Sequence, residues 1–170
     1  MRLLTAMSRS GNESRTDALR DYGLVGAGVA AAALAGSLAI DPDNTWYRSL
    51  KKPPWQPPPA AFGAVWTPLY GSIVACGGRA LQRSSLSERR SWTAALAVNL
   101  SLNAGFGWSF FKARTPYAGL AVTAATALSC WDLVRRAARI DRGAALGLIP
   151  YASWCTFATA LNAEIARLNS

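Results

Sequence analysis

The side chains best suited to chemistry are aromatic rings and amides inside uncharged stretches of the chain. Trp66 and Trp154 each lie near the middle of such a stretch. Asn99 and Asn103 lie four residues apart, which places them on one face of a helix. Indole rings stack on flat apolar molecules, and a buried amide hydrogen-bonds a carbonyl or a ring nitrogen. These residue types indicate binding of a flat aromatic ligand.

The amides also have a structural interpretation. An amide in an apolar environment needs a partner, and a hydrogen bond between helices contributes about 1 kcal/mol. For Asn99 the sequence leaves two roles open, an interhelical hydrogen bond or contact with a ligand in a cavity. For Asn103 and Asn162 the structural role is the expectation.

Catalysis by ionisable groups has little support in the sequence. His is absent, which removes Ser–His and Cys–His nucleophiles and histidine metal ligands. Asp132 and Glu164 lie at predicted helix ends without a carboxylate partner for acid–base work. Cys76, Cys130 and Cys155 lack CxxC spacing, so we expect buried thiols. We therefore expect no metal site and no required cofactor.

The elements that position these residues are defined by the absence of charge. All 27 charged residues fall outside five windows of 17 to 22 residues. A helix of about 17–25 residues spans the bilayer core, whereas a soluble amphipathic helix carries charges on its wet face. The sequence predicts an all-α integral membrane protein with a bundle of five transmembrane helices; the alternative is a soluble Ala-rich bundle. The windows are Tyr22–Ile40, Pro57–Gly78, Ser91–Phe111, Thr115–Trp131 and Gly143–Ala163.

We expect a polar N-terminal tail over residues 1–21 and a transmembrane domain over residues 22–170. A Pro/Trp-rich loop from Trp46 to Pro59 separates the first two helices and contains five prolines. Proline lacks the N–H that a helix needs, so a regular helix is not expected in this loop. The predicted helices cover residues 22–40, 60–78, 91–111, 115–135 and 143–168.

The net charge of +9 is carried by short connections between the windows. This distribution is typical of topogenic charge and argues against a nucleic-acid surface. The tail and the connections at 79–90 and 135–142 hold 12 Lys and Arg, and the opposite connections hold 6. The positive-inside rule therefore places the N-terminus in the cytoplasm. We expect a bacterial cytoplasmic membrane, with an outer or organellar membrane as the alternative.

Four segments together resemble one family, the translocator proteins or tryptophan-rich sensory proteins (TspO; the peripheral-type benzodiazepine receptor group). The resemblance runs from the first predicted helix to the end of the chain and leaves only the N-terminal tail outside. The segments are WYRSLKKPPWQPP at 46–58, FGAVWTPLY at 62–70, NLSLNAGFGWSFF at 99–111 and PYASWCTFATALNAEIARLN at 150–169.

The resemblance implies a five-helix membrane bundle, commonly a homodimer, surrounded by membrane lipid. It also implies a pocket closed by the first loop that binds porphyrin-type tetrapyrroles such as protoporphyrin IX or heme, in transport, sensing or disposal. Carried over by position, the ligand-binding residues would be Tyr47, Trp55, Trp66, Tyr70, Asn99 and Trp154.

Two alternative functions also follow from the resemblance. Some bacterial members are linked to light-dependent porphyrin degradation, for which Trp66 and Trp154 would be the catalytic residues. The other alternative is a sterol or lipid carrier. Residues 161–167 lack the Tyr of the animal sterol-recognition segment, which argues against that function. The third-helix pattern also departs from the family, with Phe106 in place of a Trp and a Trp at position 108.

Three cations in the first loop lie beside the expected pocket residues. A porphyrin carries two propionates, which prefer water and positive charge. We expect Arg48, Lys51 and Lys52 to contact these propionates at the pocket rim. The alternative is that the three cations anchor lipid headgroups.

The predicted orientation is testable with reporters fused after Ser170. Five spans and a cytoplasmic N-terminus put the C-terminus outside, so an alkaline phosphatase fusion is expected to be active. A green fluorescent protein fusion, which matures in the cytoplasm, is expected to be dark. A bright fluorescent fusion with an inactive phosphatase would contradict this orientation.

Overall fold

The structure is a computed structural model that describes the backbone of residues 2–170 and the side chains of residues 15–170. Within that part of the chain every regular element is a helix. The elements are α1 (Arg2–Ser37), α2 (Thr45–Ser49), α3 (Pro59–Arg83), α4 (Leu86–Gly107), a π-helical segment (Trp108–Lys112), α5 (Pro116–Ile140) and α6 (Arg142–Leu168).

The first helix differs from its predicted bounds at both ends. The predicted polar tail is itself helical, since α1 begins at Arg2 and runs without a break into the apolar window. No proline interrupts residues 2–37, so the ladder of backbone hydrogen bonds can continue through the polar residues. The helix ends at Ser37, three residues before the predicted end, and the Asp–Pro pair at 41–42 follows.

The first loop (residues 41–57) contains a short helix that was not expected. Helix α2 covers Thr45–Ser49, and the side chain of Asn44 caps it by accepting the N–H of Trp46 at 2.9 Å. This helix lies between Pro42 and Pro53 and contains no proline, so proline does not exclude it. The prediction that the loop from Trp46 to Pro59 contains no regular helix was therefore wrong over residues 46–49.

Helices α3 and α4 start at recognisable N-terminal signals. Helix α3 begins at Pro59, where the missing N–H costs nothing because the first turn has no intrahelical acceptor for it. Ser85 and Glu88 form a capping box, so α4 begins at Leu86, five residues before the predicted start. Both helices thus include charged turns outside the predicted windows.

The connection between α4 and α5 is short and irregular. Helix α4 gives way at Trp108 to a π-helical segment that ends at Lys112. Arg114 then adopts a positive φ of 52°, which is uncommon for a residue other than glycine. Pro116 opens α5 at its first turn, as the sequence predicted.

Among the described residues, four helices are long and apolar enough to cross a membrane. They are α3, α5, α6 and the part of α1 from Arg15 to Ser37. Helix α4 is not among them, and it carries Glu88 and two arginines in its first turns. The described chain contains six α-helices, five of them long and one the short α2. The all-α prediction is confirmed, and membrane crossing by the fifth long helix, α4, stays a prediction.

Close packing of α1 against α4 depends on small residues. A Cβ atom built at Gly107 would lie 2.7 Å from the carbonyl oxygen of Gly36, so a larger residue at 107 would force the two helices apart. The main core lies between the five long helices. Its largest fully buried side chains include Trp92, Tyr151 and Ile73.

Two buried carboxylates join the helices near the cationic connections. Asp21 of α1 accepts hydrogen bonds from Arg89 of α4. Asp141, between α5 and α6, accepts from Arg79 Nε at 2.8 Å and from Arg83, both on α3. Asp141 also caps α6 by accepting the N–H of Ala144 at 2.7 Å. Asp21 therefore ties the middle of α1 to α4, and Asp141 ties α3 to the junction of α5 and α6. Arg89 links the two sets, since it also donates to the carbonyl of Leu81 on α3 at 3.4 Å.

The Asp141 junction predicts a pH dependence of stability. Hydrogen bonds from Arg79 and from the Ala144 backbone lower the pKa of Asp141 to about 2. In the unfolded chain the pKa of an aspartate is about 4, so ionised Asp141 stabilises the fold above that pH. This contribution is lost as the pH falls from about 4 to about 2.

Asp141→Asn is therefore expected to lower the melting temperature at pH 7 by several degrees. The variant should also show a smaller fall in melting temperature between pH 4 and pH 2 than the parent protein. Differential scanning fluorimetry of the purified protein measures both effects. Asp43→Asn, in the exposed first loop, is the control. Equal melting curves for the two variants would contradict the assigned role of Asp141.

Candidate aromatic binding site

Helices α3 and α6 face each other with aromatic side chains. The rings of Trp66 and Tyr70 on α3 lie 5.2 Å apart between centroids, with a tilt of 30°. Trp66 also meets Tyr151 of α6 edge to face, with the centroids 6.1 Å apart. Trp66 and Tyr70 are half-buried against the main core. The structure thus brings together two of the predicted ligand-binding residues and adds Tyr151 to them.

A second row of rings continues towards the first loop. Trp154 lies 5.2 Å from Phe157 on α6 and 5.9 Å from Phe62 on α3. Trp55 of the first loop meets Phe157 edge to face at 5.9 Å, and Trp55 itself is 47% exposed. We call the two rows together the aromatic wall, which consists of Trp55, Phe62, Trp66, Tyr70, Tyr151, Trp154 and Phe157.

Tyr47 belongs to a different cluster from Trp55. Its ring lies 5.1 Å from Phe111 and 6.1 Å from Phe110, both in the π-helical segment. The Nε2 of Gln56 donates to the Tyr47 hydroxyl at 3.3 Å and links the two parts of the loop. The first loop therefore reaches the helices at two places, the π-helical segment and Phe157.

The π-helical segment explains the departure from the family pattern at positions 106 and 108. Phe106 stacks on Phe110 at 5.5 Å with an angle of 19° between the rings, so position 106 keeps its aromatic contact. Trp108 instead lies on the outside, 49% exposed, and its Nε1 donates to the carbonyl of Ala35 on α1 at 3.0 Å. Trp108 therefore links the π-helical segment to α1 and is not part of the aromatic wall.

A chain of polar side chains crosses the core beneath Trp66. Tyr70 donates to Asn103 Oδ1 at 3.4 Å, and Asn103 Nδ2 donates to the Tyr151 hydroxyl at 3.3 Å. Tyr151 in turn donates to Asn99 Oδ1 at 2.8 Å, and Asn99 Nδ2 donates to Cys130 Sγ at 3.3 Å. This polar chain (Tyr70, Asn103, Tyr151, Asn99 and Cys130) joins α3, α4, α5 and α6.

The polar chain gives protein partners to Asn99, whose role the sequence left open, and to Asn103. Asn99 is fully buried, and both its carbonyl and its NH₂ group have protein partners. Its position therefore fits the structural role, and it lies behind the wall rather than on its surface. Asn103 also links helices, as expected. Asn162 is buried and donates to Ala158 within α6, while its carbonyl oxygen has no partner among the described residues.

The three loop cations have different environments. The ammonium of Lys52 donates to the carbonyls of Tyr47 at 2.6 Å and Leu50 at 3.2 Å, and it lies 4.4 Å above the Tyr47 ring. Lys52 is therefore engaged within the loop. Arg48 and Lys51 are exposed.

A separate groove of about 440 Å³ lies between α1 and α4. Its lining is almost entirely apolar and combines leucines with small residues such as Gly28, Ala32 and Ala97. None of the predicted ligand-binding residues lines it. The aromatic wall and this groove are therefore different features of the bundle.

Comparison with known proteins decides the family. The model of the TspO/MBR family matches residues 24–168. The chain belongs to the TspO/MBR family. It is 33% identical over 141 residues to the tryptophan-rich protein TspO of Chlorobaculum tepidum, covering 82% of this chain and 89% of that protein. It is also 32% identical to the tryptophan-rich sensory protein of Cereibacter sphaeroides, over 84% and 87% of the two chains.

An animal relative extends the comparison. The translocator protein of Ovis aries is 33% identical over 131 residues, which cover 69% of this chain and 70% of that protein. Membership in the TspO/MBR family, together with the apolar helices, makes this an integral membrane protein.

Sequence reasoning missed three residues of the wall, Phe62, Phe157 and Tyr151, and of these Tyr151 also belongs to the polar chain. It lies one turn before Trp154 on α6, directly after Pro150, in a window without charge. A phenol in such a window needs a hydrogen-bond partner as much as an amide does, and this requirement was the available signal. The sequence does not give the distance between α4 and α6. This distance makes Asn99 and Asn103 the hydrogen-bond partners of Tyr151.

Tyr151→Phe tests the polar chain. The change leaves the Asn99 carbonyl oxygen buried without a donor, which is expected to cost about 1–3 kcal/mol of unfolding free energy. Tyr117→Phe is the control, since Tyr117 is 57% exposed on α5. Denaturant unfolding of both variants in the same detergent measures the difference.

The same measurement in an Asn99→Leu background tests the direct pairing. If Tyr151 acts through Asn99, its removal should cost less once Asn99 is gone. An unchanged cost in that background, or equal stability of Tyr151→Phe and the parent protein, would contradict the polar chain.

Proposed function

We propose that this protein binds a porphyrin-type tetrapyrrole, such as protoporphyrin IX or heme, against the aromatic wall in the membrane. The observation that carries the proposal is the continuous row of rings from Trp55 through Phe157 and Trp154. A flat macrocycle can contact several of these rings at once. Each aromatic contact adds about 0.5–1.5 kcal/mol beyond the area it buries.

The surroundings of the wall suit a ligand with an apolar ring and charged edges. Trp66, Tyr70 and Trp154 are half-buried and offer the apolar surface. The exposed cations Arg48 and Lys51 are the candidates for contact with the propionates, since Lys52 is engaged within the loop. Asn99 lies behind the wall and contributes by holding Tyr151 in place.

In this proposal the five long helices all cross the membrane, with the N-terminus in the cytoplasm. The ion pairs of Asp21 and Asp141 support one shared cationic end of the bundle, as the positive-inside rule requires. Helix α4 also crosses the membrane, because the side-chain amides of Asn99 and Asn103 are hydrogen-bonded inside the bundle. The ligand would then be held for transport, sensing or disposal near the opposite membrane surface.

The proposal predicts which tryptophans matter for binding. Trp66→Leu and Trp154→Leu are each expected to weaken protoporphyrin IX binding about 10-fold, which corresponds to one lost aromatic contact. Trp131→Leu is the matched control, because Trp131 is 45% exposed on α5, outside the aromatic wall. Titration of the protein in lipid nanodiscs, followed by the porphyrin absorbance band, gives the dissociation constants.

If all three variants bind protoporphyrin IX as tightly as the parent protein, the proposal is refuted.

The same samples distinguish a binding protein from a light-dependent degrading enzyme. Trp66 and Trp154 can be oxidised, and both belong to the aromatic wall that the ligand would contact. If illumination with porphyrin produces a new product that the Trp66→Leu and Trp154→Leu variants do not form, the degrading function is favoured.

A further inference from the structure

The first loop is held to the helices mainly by apolar contacts. Its rings rest on the π-helical segment and on Phe157. Such contacts are non-directional, so by themselves they permit the loop to shift. Within the described part of the chain, every hydrogen bond from residues 41–57 to another element goes to one residue, Asn169.

The contact with Asn169 is reciprocal. The backbone N–H of Lys51 donates to Asn169 Oδ1 at 2.9 Å, and Asn169 Nδ2 donates to the Lys51 carbonyl at 2.9 Å. The same amide also donates to the carbonyl of Ile165 at 2.8 Å, which fixes it to the end of α6. An amide supplies both a donor and an acceptor, whereas a carboxylate supplies an acceptor only. We call this pair of hydrogen bonds the latch.

The latch acts on both halves of the loop. On the N-terminal side of Lys51 lies α2, which is held close to Lys51 because the ammonium of the next residue, Lys52, donates to the carbonyl of Tyr47. On the other side, Pro53 and the following proline stiffen the path to Trp55, and the N–H of Gln56 closes a turn onto Pro53 at 3.0 Å. Fixing the Lys51 backbone therefore fixes Tyr47 and Trp55 together.

We propose that Asn169 is a positioning residue that holds the first loop closed over the aromatic wall and so sets the rate of ligand exchange. The inference rests on the proposed function, because it makes the loop the lid of that binding site. The side chain of Asn169 itself touches no ligand. Loss of the latch opens the lid more often in both the free and the bound protein.

The latch is tested first without any ligand, by hydrogen–deuterium exchange of the full-length protein in nanodiscs. A peptide over residues 47–54 reports the Lys51 amide, whose N–H the latch protects, because that peptide begins four residues before Lys51. Asn169→Ala is expected to speed exchange in this peptide about 10-fold or more, because two hydrogen bonds are lost. Asn169→Asp keeps the acceptor but loses the donor, so its exchange rate should lie between those of the parent protein and Asn169→Ala. Ser170→Ala, which removes a hydrogen bond to Arg167 at the same helix end, should match the parent protein.

The role in ligand exchange is tested by stopped-flow mixing with protoporphyrin IX. Asn169→Ala is expected to raise both the association and the dissociation rate constants about 5- to 30-fold, the range for one or two hydrogen bonds. The dissociation constant should change by less than about 3-fold, because free and bound proteins lose the same latch. A residue that only supported the ligand site would raise dissociation alone.

The outcomes separate the latch from the proposed function. Unchanged exchange in residues 47–54 overturns the latch, whatever the ligand does. Faster exchange with unchanged rate constants, or with faster dissociation alone, overturns the gating role. If the parent protein fails to bind protoporphyrin IX, the proposed function fails, and the ligand-free exchange experiment still decides whether Asn169 holds the loop.

Discussion

The hydroxyl of Tyr151 accepts a hydrogen bond from Asn103 and donates one to Asn99 in the interior of the bundle. Water is scarce at this depth in a membrane, so each of these polar groups needs a protein partner at the right distance. Meeting that need fixes the separation of α4 and α6. The other links of the chain, from Tyr70 and to Cys130, bring α3 and α5 into the same arrangement.

The position of the aromatic wall follows from this arrangement. Tyr151 contributes its hydroxyl to the polar chain and its ring to the contact with Trp66. Tyr70 does the same from α3, since its hydroxyl meets Asn103 while its ring packs on Trp66. Tyr70 and Tyr151 therefore belong to the polar chain through their hydroxyls and to the aromatic wall through their rings. A change that loosens the hydrogen bonds is expected to move the rings that a ligand would contact.

Much of the architecture could be predicted because it depends on local chemistry. The windows without charge marked the apolar parts of the long helices, and Pro116 marked the start of α5. Features that depend on distances between helices could not be predicted. The π-helical segment, which turns Phe110 and Phe111 inwards, has no signal in local propensity. The roles of Tyr151 and Asn169 likewise depend on partners 48 to 118 residues away.

The most direct test of the account is the response of the indole N–H groups to a porphyrin. Each of the seven tryptophans contributes one indole signal to a nitrogen–proton NMR spectrum of the labelled protein. Adding protoporphyrin IX is predicted to shift the signals of Trp55, Trp66 and Trp154 through the ring current of the macrocycle. Trp108 and Trp131 make hydrogen bonds on the outer faces of helices, so their signals should stay in place. Shifts confined to Trp108 and Trp131, with the wall unaffected, would contradict the account.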